Sequence, residues 1–157
     1  MSGLLADFNG RFEAAFGYPP GENRLVAASP EAGRAAAEAL AAAGAPAELV
    51  EFYGRVAELA MPDVANGFFI HPVEDVLDGA QPTRLTGAAE DAITVFGSDG
   101  GGGLLAFGAA KGEIYHLAGG ALVGSTYEVS PNGFTVLSPD LSGLLARLLA
   151  ELIDALP

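Results

Sequence analysis

The chain has 157 residues, no cysteine, and 20 acidic side chains against seven basic ones, for a formal charge of −13 at neutral pH. The length suits one domain with a sizeable apolar core, and a composition half hydrophobic and 17% charged excludes intrinsic disorder. The lack of cysteine excludes disulfides, thiolate zinc sites and cysteine nucleophiles, while the negative field disfavours nucleic acid and anionic membranes and speeds encounter with basic partners.

No apolar run approaches the roughly 20 residues a membrane span needs. The opening residues Met1-Ser2-Gly3-Leu4-Leu5 place no basic stretch ahead of an apolar one, so the expected address is cytoplasmic. Leu4, Leu5, Phe8, Phe12, Ala15 and Phe16 recur at three- and four-residue spacing and predict a first helix with one apolar stripe, ended by Gly17 and Pro19-Pro20-Gly21. At this spacing a core face is the expected use of the phenylalanines, ahead of a partner-docking stripe. Arg24-Leu25-Val26-Ala27-Ala28 reads as a short extended piece. Ser29-Pro30-Glu31 then supplies an N-cap, a proline for the first helical position and an acid near the positive end of the dipole, so a helix is expected over residues 30–43, stopped by Gly44.

Pro46 opens a further helix, predicted to carry Leu49, Phe52, Tyr53, Val56, Leu59 and Ala60 on its apolar face until Pro62 closes it. Asn66-Gly67 marks a turn before a strand over residues 68–71; residues 72–77 suit a helix of one or two turns, and residues 79–90 a surface loop. From Asp91 the texture changes to strand-like runs over residues 92–96, 104–107, 113–117 and 121–129, divided by glycine-rich turns. Connections this short favour an antiparallel meander, because parallel neighbours need a crossover of about a dozen residues or more. Ser138-Pro139-Asp140 caps a last helix whose stripe holds Leu141, Leu144, Leu145, Leu148, Leu149, Leu152 and Ile153. The whole describes an α+β fold: an antiparallel sheet meander flanked by helices, with an extra helix at the N-terminus.

The glycines from Gly100 to Gly103 invite comparison with a phosphate-cradling loop. Such a loop hands its N–H groups to the start of a helix, whereas these lead into the strand-like Leu104-Leu105-Ala106-Phe107, and Lys111, the single lysine, sits one turn later. They read as glycines that allow positive φ and close backbone approach. Ser98 and Asp99 suggest a nucleophile or a ligand, but Ser and Asp ahead of Gly are turn formers that bond nearby N–H groups, and no partner base is spaced to either. His71 and His116 lie on separate predicted strands without a carboxylate at metal-ligand spacing, and each is expected to be satisfied or exposed. Glu48, Glu51, Glu74 and Asp75 fall on predicted helices as solvated acids. No catalytic set converges, and no metal and no cofactor is expected.

Taken in order, Pro46 with Glu48-Leu49-Val50-Glu51-Phe52-Tyr53, Asn66-Gly67-Phe68-Phe69 with Pro72-Val73-Glu74-Asp75-Val76, Val95-Phe96-Gly97-Ser98-Asp99-Gly100-Gly101-Gly102, and Gly112-Glu113-Ile114-Tyr115-His116-Leu117 ahead of a leucine-rich helix resemble the SUKH superfamily. That superfamily groups fungal regulators of cell-wall synthesis with bacterial immunity proteins. The resemblance covers about residues 30–156, and its motif residues are Phe52, Tyr53, Phe96, Gly97, Ser98, Asp99, Gly100, Gly101 and Tyr115. Gly103 stands where such members often carry an acid, and Asn66-Gly67 lies farther from the Phe-Tyr helix than in the usual pattern.

The resemblance implies a SUKH-like domain over residues 29–157, with residues 1–28 as a helix-and-linker extension. It further implies protein binding without catalysis, in many bacterial members the neutralisation of a cognate toxin, often a nuclease. The acids Asp99, Glu113 and Glu128 at loop edges are the expected contacts with a basic toxin domain. A regulatory or scaffold module without a toxin is the alternative. A small-molecule-binding protein or enzyme built on Ser98, Asp99 and a histidine is the third possibility.

Overall fold

Leu5, Phe8 and Phe12 bury one stripe of α1 (Ser2–Phe16) in a computed structural model that describes residues 1–157. Ala15 and Phe16, expected on the same stripe, lie past the edge of the core. Phe16 is 49% exposed and stacks against Phe12 and Tyr18 instead. Gly17 ends the helix in the left-handed conformation, φ 80°. After β1 (Arg24–Ala27) comes α2 (Pro30–Ala42), whose Ser29 hydroxyl accepts the Ala32 N–H at 3.2 Å as an N-cap.

A polar network fixes the connection between α1 and β1. Asn23, 5% exposed, donates its amide to Asn9 Oδ1 at 3.0 Å and to Asp63 Oδ2 at 2.6 Å, while its Oδ1 accepts the Asp63 N–H at 3.2 Å. Asn9 returns a bond to the Asn23 carbonyl at 2.9 Å. Every buried amide group there is thereby partnered, which is the condition for burying it at modest cost.

The first correction comes at α3, which spans only Ala47–Tyr53 and not the expected run to Pro62. Gly54 ends it, and Val56–Met61 is strand β2. Gly54 lies so close to Gly33 of α2 that a side-chain carbon on Gly33 would collide with the Gly54 carbonyl oxygen. Past that contact the chain enters a ladder. β2 pairs antiparallel with β1 through Leu25↔Leu59 and with β3 (Phe68–Ile70) through Leu59↔Ile70. Val-Ala-Glu-Leu-Ala-Met fits either period, and pairing on both sides decides for strand.

The short α4 (Val73–Val76) follows Pro72 as expected, but residues 79–90 are not all loop. They hold β4 (Arg84–Gly87), with Leu85 fully buried. Then come β5 (Asp91–Asp99), β6 (Leu104–Gly108), β7 (Ile114–Leu117), β8 (Ala121–Val123), β9 (Thr126–Val129), β10 (Phe134–Ser138) and α5 (Leu141–Asp154). Three further corrections follow. β5 continues through Gly97-Ser98-Asp99, leaving only residues 100–103 as the glycine loop. The run over residues 121–129 is a hairpin, turned at Gly124 with φ 61°. β10 pairs with β7 where no strand was expected.

These strands form one mostly antiparallel ten-stranded sheet, and five helices accompany it. β5 is its spine. On one side its C-terminal half meets β3 (Phe68↔Asp99, Ile70↔Gly97) and its N-terminal end meets β4 (Leu85↔Asp91); on the other it pairs with β6. The β4–β9 pair is parallel. Two cores result. Twenty-one buried residues, all but Val64 from the five helices and from β2, β3, β5, β6 and β7, form the large one, in which α1 contributes Leu5, Phe8 and Phe12. Eight residues of β4, β5, β6, β7 and β9 form the small one, around Leu85, Val95, Tyr115 and Tyr127.

Candidate functional site

The end of β5 carries the residues the sequence singled out. Asp99 Oδ1 accepts the N–H groups of Gly101 at 2.9 Å and Gly103 at 2.7 Å, and its Oδ2 lies 2.8 Å from His116 Nε2. Asn66 adds a bond to Oδ2 at 3.4 Å, and its carbonyl accepts the Gly100 N–H at 2.9 Å. Burial acts to raise the carboxyl, but the Gly103 N–H, His116 and the Gly101 N–H outweigh it and hold Asp99 below the usual carboxylate value. Any side chain at Gly103 would strike the His116 ring, which accounts for glycine at that position.

Ser98, one residue back, reaches His71, with Oγ 2.8 Å from Nε2. Burial lowers the His71 pKa, against the opposing charge of Asp75. The expectation that neither Ser98 nor Asp99 has a partner base is therefore corrected. Sheet register brings together residues 27 and 17 positions apart, a separation that no local spacing reveals. Adjacent strand residues point to opposite faces, so the two pairs stand back to back and do not merge into one nucleophile–base–acid set. None of the three principal cavities is lined by Ser98, His71, Asp99 or His116.

The remaining motif residues hold the fold. The Tyr53 hydroxyl donates to the His71 carbonyl at 2.7 Å, tying α3 to the end of β3, and burial with the Asp75 charge raises its pKa. Phe96 is fully buried beside Gly97, where a side chain would collide with the Phe69 carbonyl. Tyr115 donates to Asp91 Oδ2 at 2.9 Å; burial, Asp91 and Glu113 push its pKa up to about 12.

The three acids expected at a partner contact do not lie together. Asp99 is 11% exposed and bound within its own loop. Glu113 is half-buried at the turn between β6 and β7, near Tyr115 and Asp91, and Glu128 is exposed on β9 opposite Thr86. Both belong to the Asp91 end of β5, which its nine residues separate from Asp99 by roughly 26 Å at about 3.3 Å per residue.

A different feature offers space. A groove of about 530 Å³ opens between α3, the start of α5 and the β1–β2 pair, with Leu25, Phe52, Leu59 and Leu145 among its walls. Glu48, Glu51, Arg55 and Asp140 also line it. Glu48 Oε2 accepts the Leu141 N–H at 3.0 Å, and Asp140 Oδ1 accepts the Gly143 N–H at 2.6 Å. Arg55 pairs with Glu51 at 3.2 Å. Phe52 and Glu48 were legible as a motif and as a helix acid; the groove was not, because it is closed by α5, 93 residues beyond Glu48.

Comparison of the chain with protein-family models, with curated proteins and with solved structures finds no match. No group of three or more His, Asp or Glu side chains is placed to hold a metal ion, and no helix is long and apolar enough to cross a membrane.

Proposed function

We propose that this chain is a non-enzymatic, cytoplasmic protein-binding domain that acts as an immunity protein, capturing and neutralising a basic toxin domain of nuclease type. The observation that carries the reading is the charge of −13 and where it sits. Glu13, Glu31, Glu38, Glu74, Glu90 and Glu128 are exposed and belong to no ion pair, so their field reaches solvent uncompensated. A nuclease surface made for phosphate has the opposite sign, and such complementarity accelerates encounter and rejects acidic partners. The SUKH resemblance supplies the toxin half of the proposal.

The test is capture from native lysate on immobilised protein at low and high salt, followed by a nuclease assay of the retained partner. A basic nuclease retained at low salt, and silenced at one-to-one stoichiometry, is the expected result. A retained set of unrelated regulators would replace the proposal with the scaffold alternative, and undiminished nuclease activity would overturn it.

A further inference from the structure

The groove beside α5 carries a more specific inference about what is bound, and it rests on the proposal of a basic partner. A helix N-terminus ordinarily attracts an anion, since its first N–H groups are unpaired and the dipole is positive there. At α5 this role is already filled from within the chain. Asp140 takes the Gly143 N–H and Glu48, arriving from α3, takes the Leu141 N–H. The α5 end of the groove is therefore lined by two carboxylates that already take the Leu141 and Gly143 N–H groups. Arg55, the one Arg or Lys side chain of the lining, is tied to Glu51.

Between these acids the floor is apolar. Leu25, Phe52, Leu59 and Leu145 face a volume of about 530 Å³, inside the range of roughly 300–1,000 Å³ typical of binding pockets. An apolar floor under an acidic rim selects one chemistry. We infer that the groove between α3 and α5 receives a segment of a basic protein partner, one that inserts leucine- or phenylalanine-sized side chains against Phe52 and Leu145 and sets arginine or lysine against Glu48, Glu51 and Asp140. Central apolar anchors ringed by charge are the usual form of such contacts.

The experiment titrates the full chain into a fluorescein-labelled peptide of alternating arginine and leucine, with arginine–serine and glutamate–leucine peptides as controls. Glu51→Lys reverses one rim charge at an exposed helix position whose only ion-pair partner is Arg55; Asp154→Lys makes the same change at the exposed last residue of α5, outside the groove. The expected result is binding of the arginine–leucine peptide alone, weakened tenfold or more by Glu51→Lys and less than twofold by Asp154→Lys. Equal losses in the two variants, or equal binding of arginine–serine, would reduce the effect to bulk charge and overturn the inference. Failure of the wild-type chain to bind the arginine–leucine peptide would overturn it as well. A nuclease that is captured and silenced equally by wild type and Glu51→Lys removes the groove while leaving the immunity proposal intact. Peptide binding with the expected variant pattern, but no silenced nuclease, keeps the groove and removes that proposal.

Discussion

The large core draws on every helix and on strands from across the sheet, whereas the small core is made of strands alone and closes only because β4 and β9 bring Leu85, Tyr127 and Val129 to residues of β5–β7. Losing one contact in the first leaves neighbours from several other elements in place. The second depends on an arm whose strand ladder with β5 is only two pairs long, Arg84↔Ala92 and Leu85↔Asp91. Its outer strand β8 is exposed throughout, with Leu122 at 54% and Val123 at 62%. Burial of equal depth is thus backed by unequal cooperativity, and the arm is the part that opens first.

Two leucines, each with no exposed surface, sharpen this contrast most. Leu148→Ala in α5 is expected to cost about 2–5 kcal/mol in urea unfolding, and to speed hydrogen exchange across the large core. Leu85→Ala in β4 is expected at the lower end of that range, about 2–3 kcal/mol, with faster exchange confined to β4, β8 and β9. Equal losses with exchange rising everywhere would show that the two cores are one cooperative unit.

Gly97→Ala comes next, at about 1–3 kcal/mol, because the added methyl meets the rigid Phe69 carbonyl where β5 joins β3; thermal melts measure it. Asp99→Asn is expected to cost about 1–2 kcal/mol through weakened bonds to Gly101, Gly103 and His116. Its signature is pH dependence. A carboxyl whose folded pKa is lowered contributes its stability above the unfolded value of about 4 and loses it as pH falls through the folded value, so the variant's stability curve should be shallower in acid.

Ser29→Ala removes the α2 cap for about 1 kcal/mol, a loss felt on the large-core side only. The smallest effect belongs to His71. With its folded pKa lowered, the unfolded chain takes up a proton as pH drops below about 6.5 while the folded chain resists, so stability declines there. His71→Gln should flatten that decline in melting temperatures followed from pH 7 to pH 5.

The same division separates what was legible from what was not. α1 and α5 announce themselves by an apolar stripe with a stop at Gly17 or a cap at Asp140, and α2 by its start and stop signals at Ser29-Pro30-Glu31 and Gly44; all three form within a residue or two of expectation. The elements missed or misread are strands: β2 passed for helix, β4 for loop, and β10 left no signal. Each is only four to six residues long and defined by its partners, and such information is carried by pairing, not by local pattern. The glycine loop was read as architecture from its own residues, and Asp99 does bond the N–H groups of Gly101 and Gly103. That His71 and His116 complete the two pairs behind it follows from sheet register, which no spacing in the chain encodes.

The polar junction of Asn9, Asn23 and Asp63 gives the N-terminal segment an address. An apolar stripe by itself tolerates sliding by one helical turn, about 5.4 Å, because leucine and phenylalanine accept many neighbours. Two amides that each donate to the other's residue accept only one alignment, since any shift strands a buried donor. Grease holds α1 in place, and two asparagines tell it where that place is.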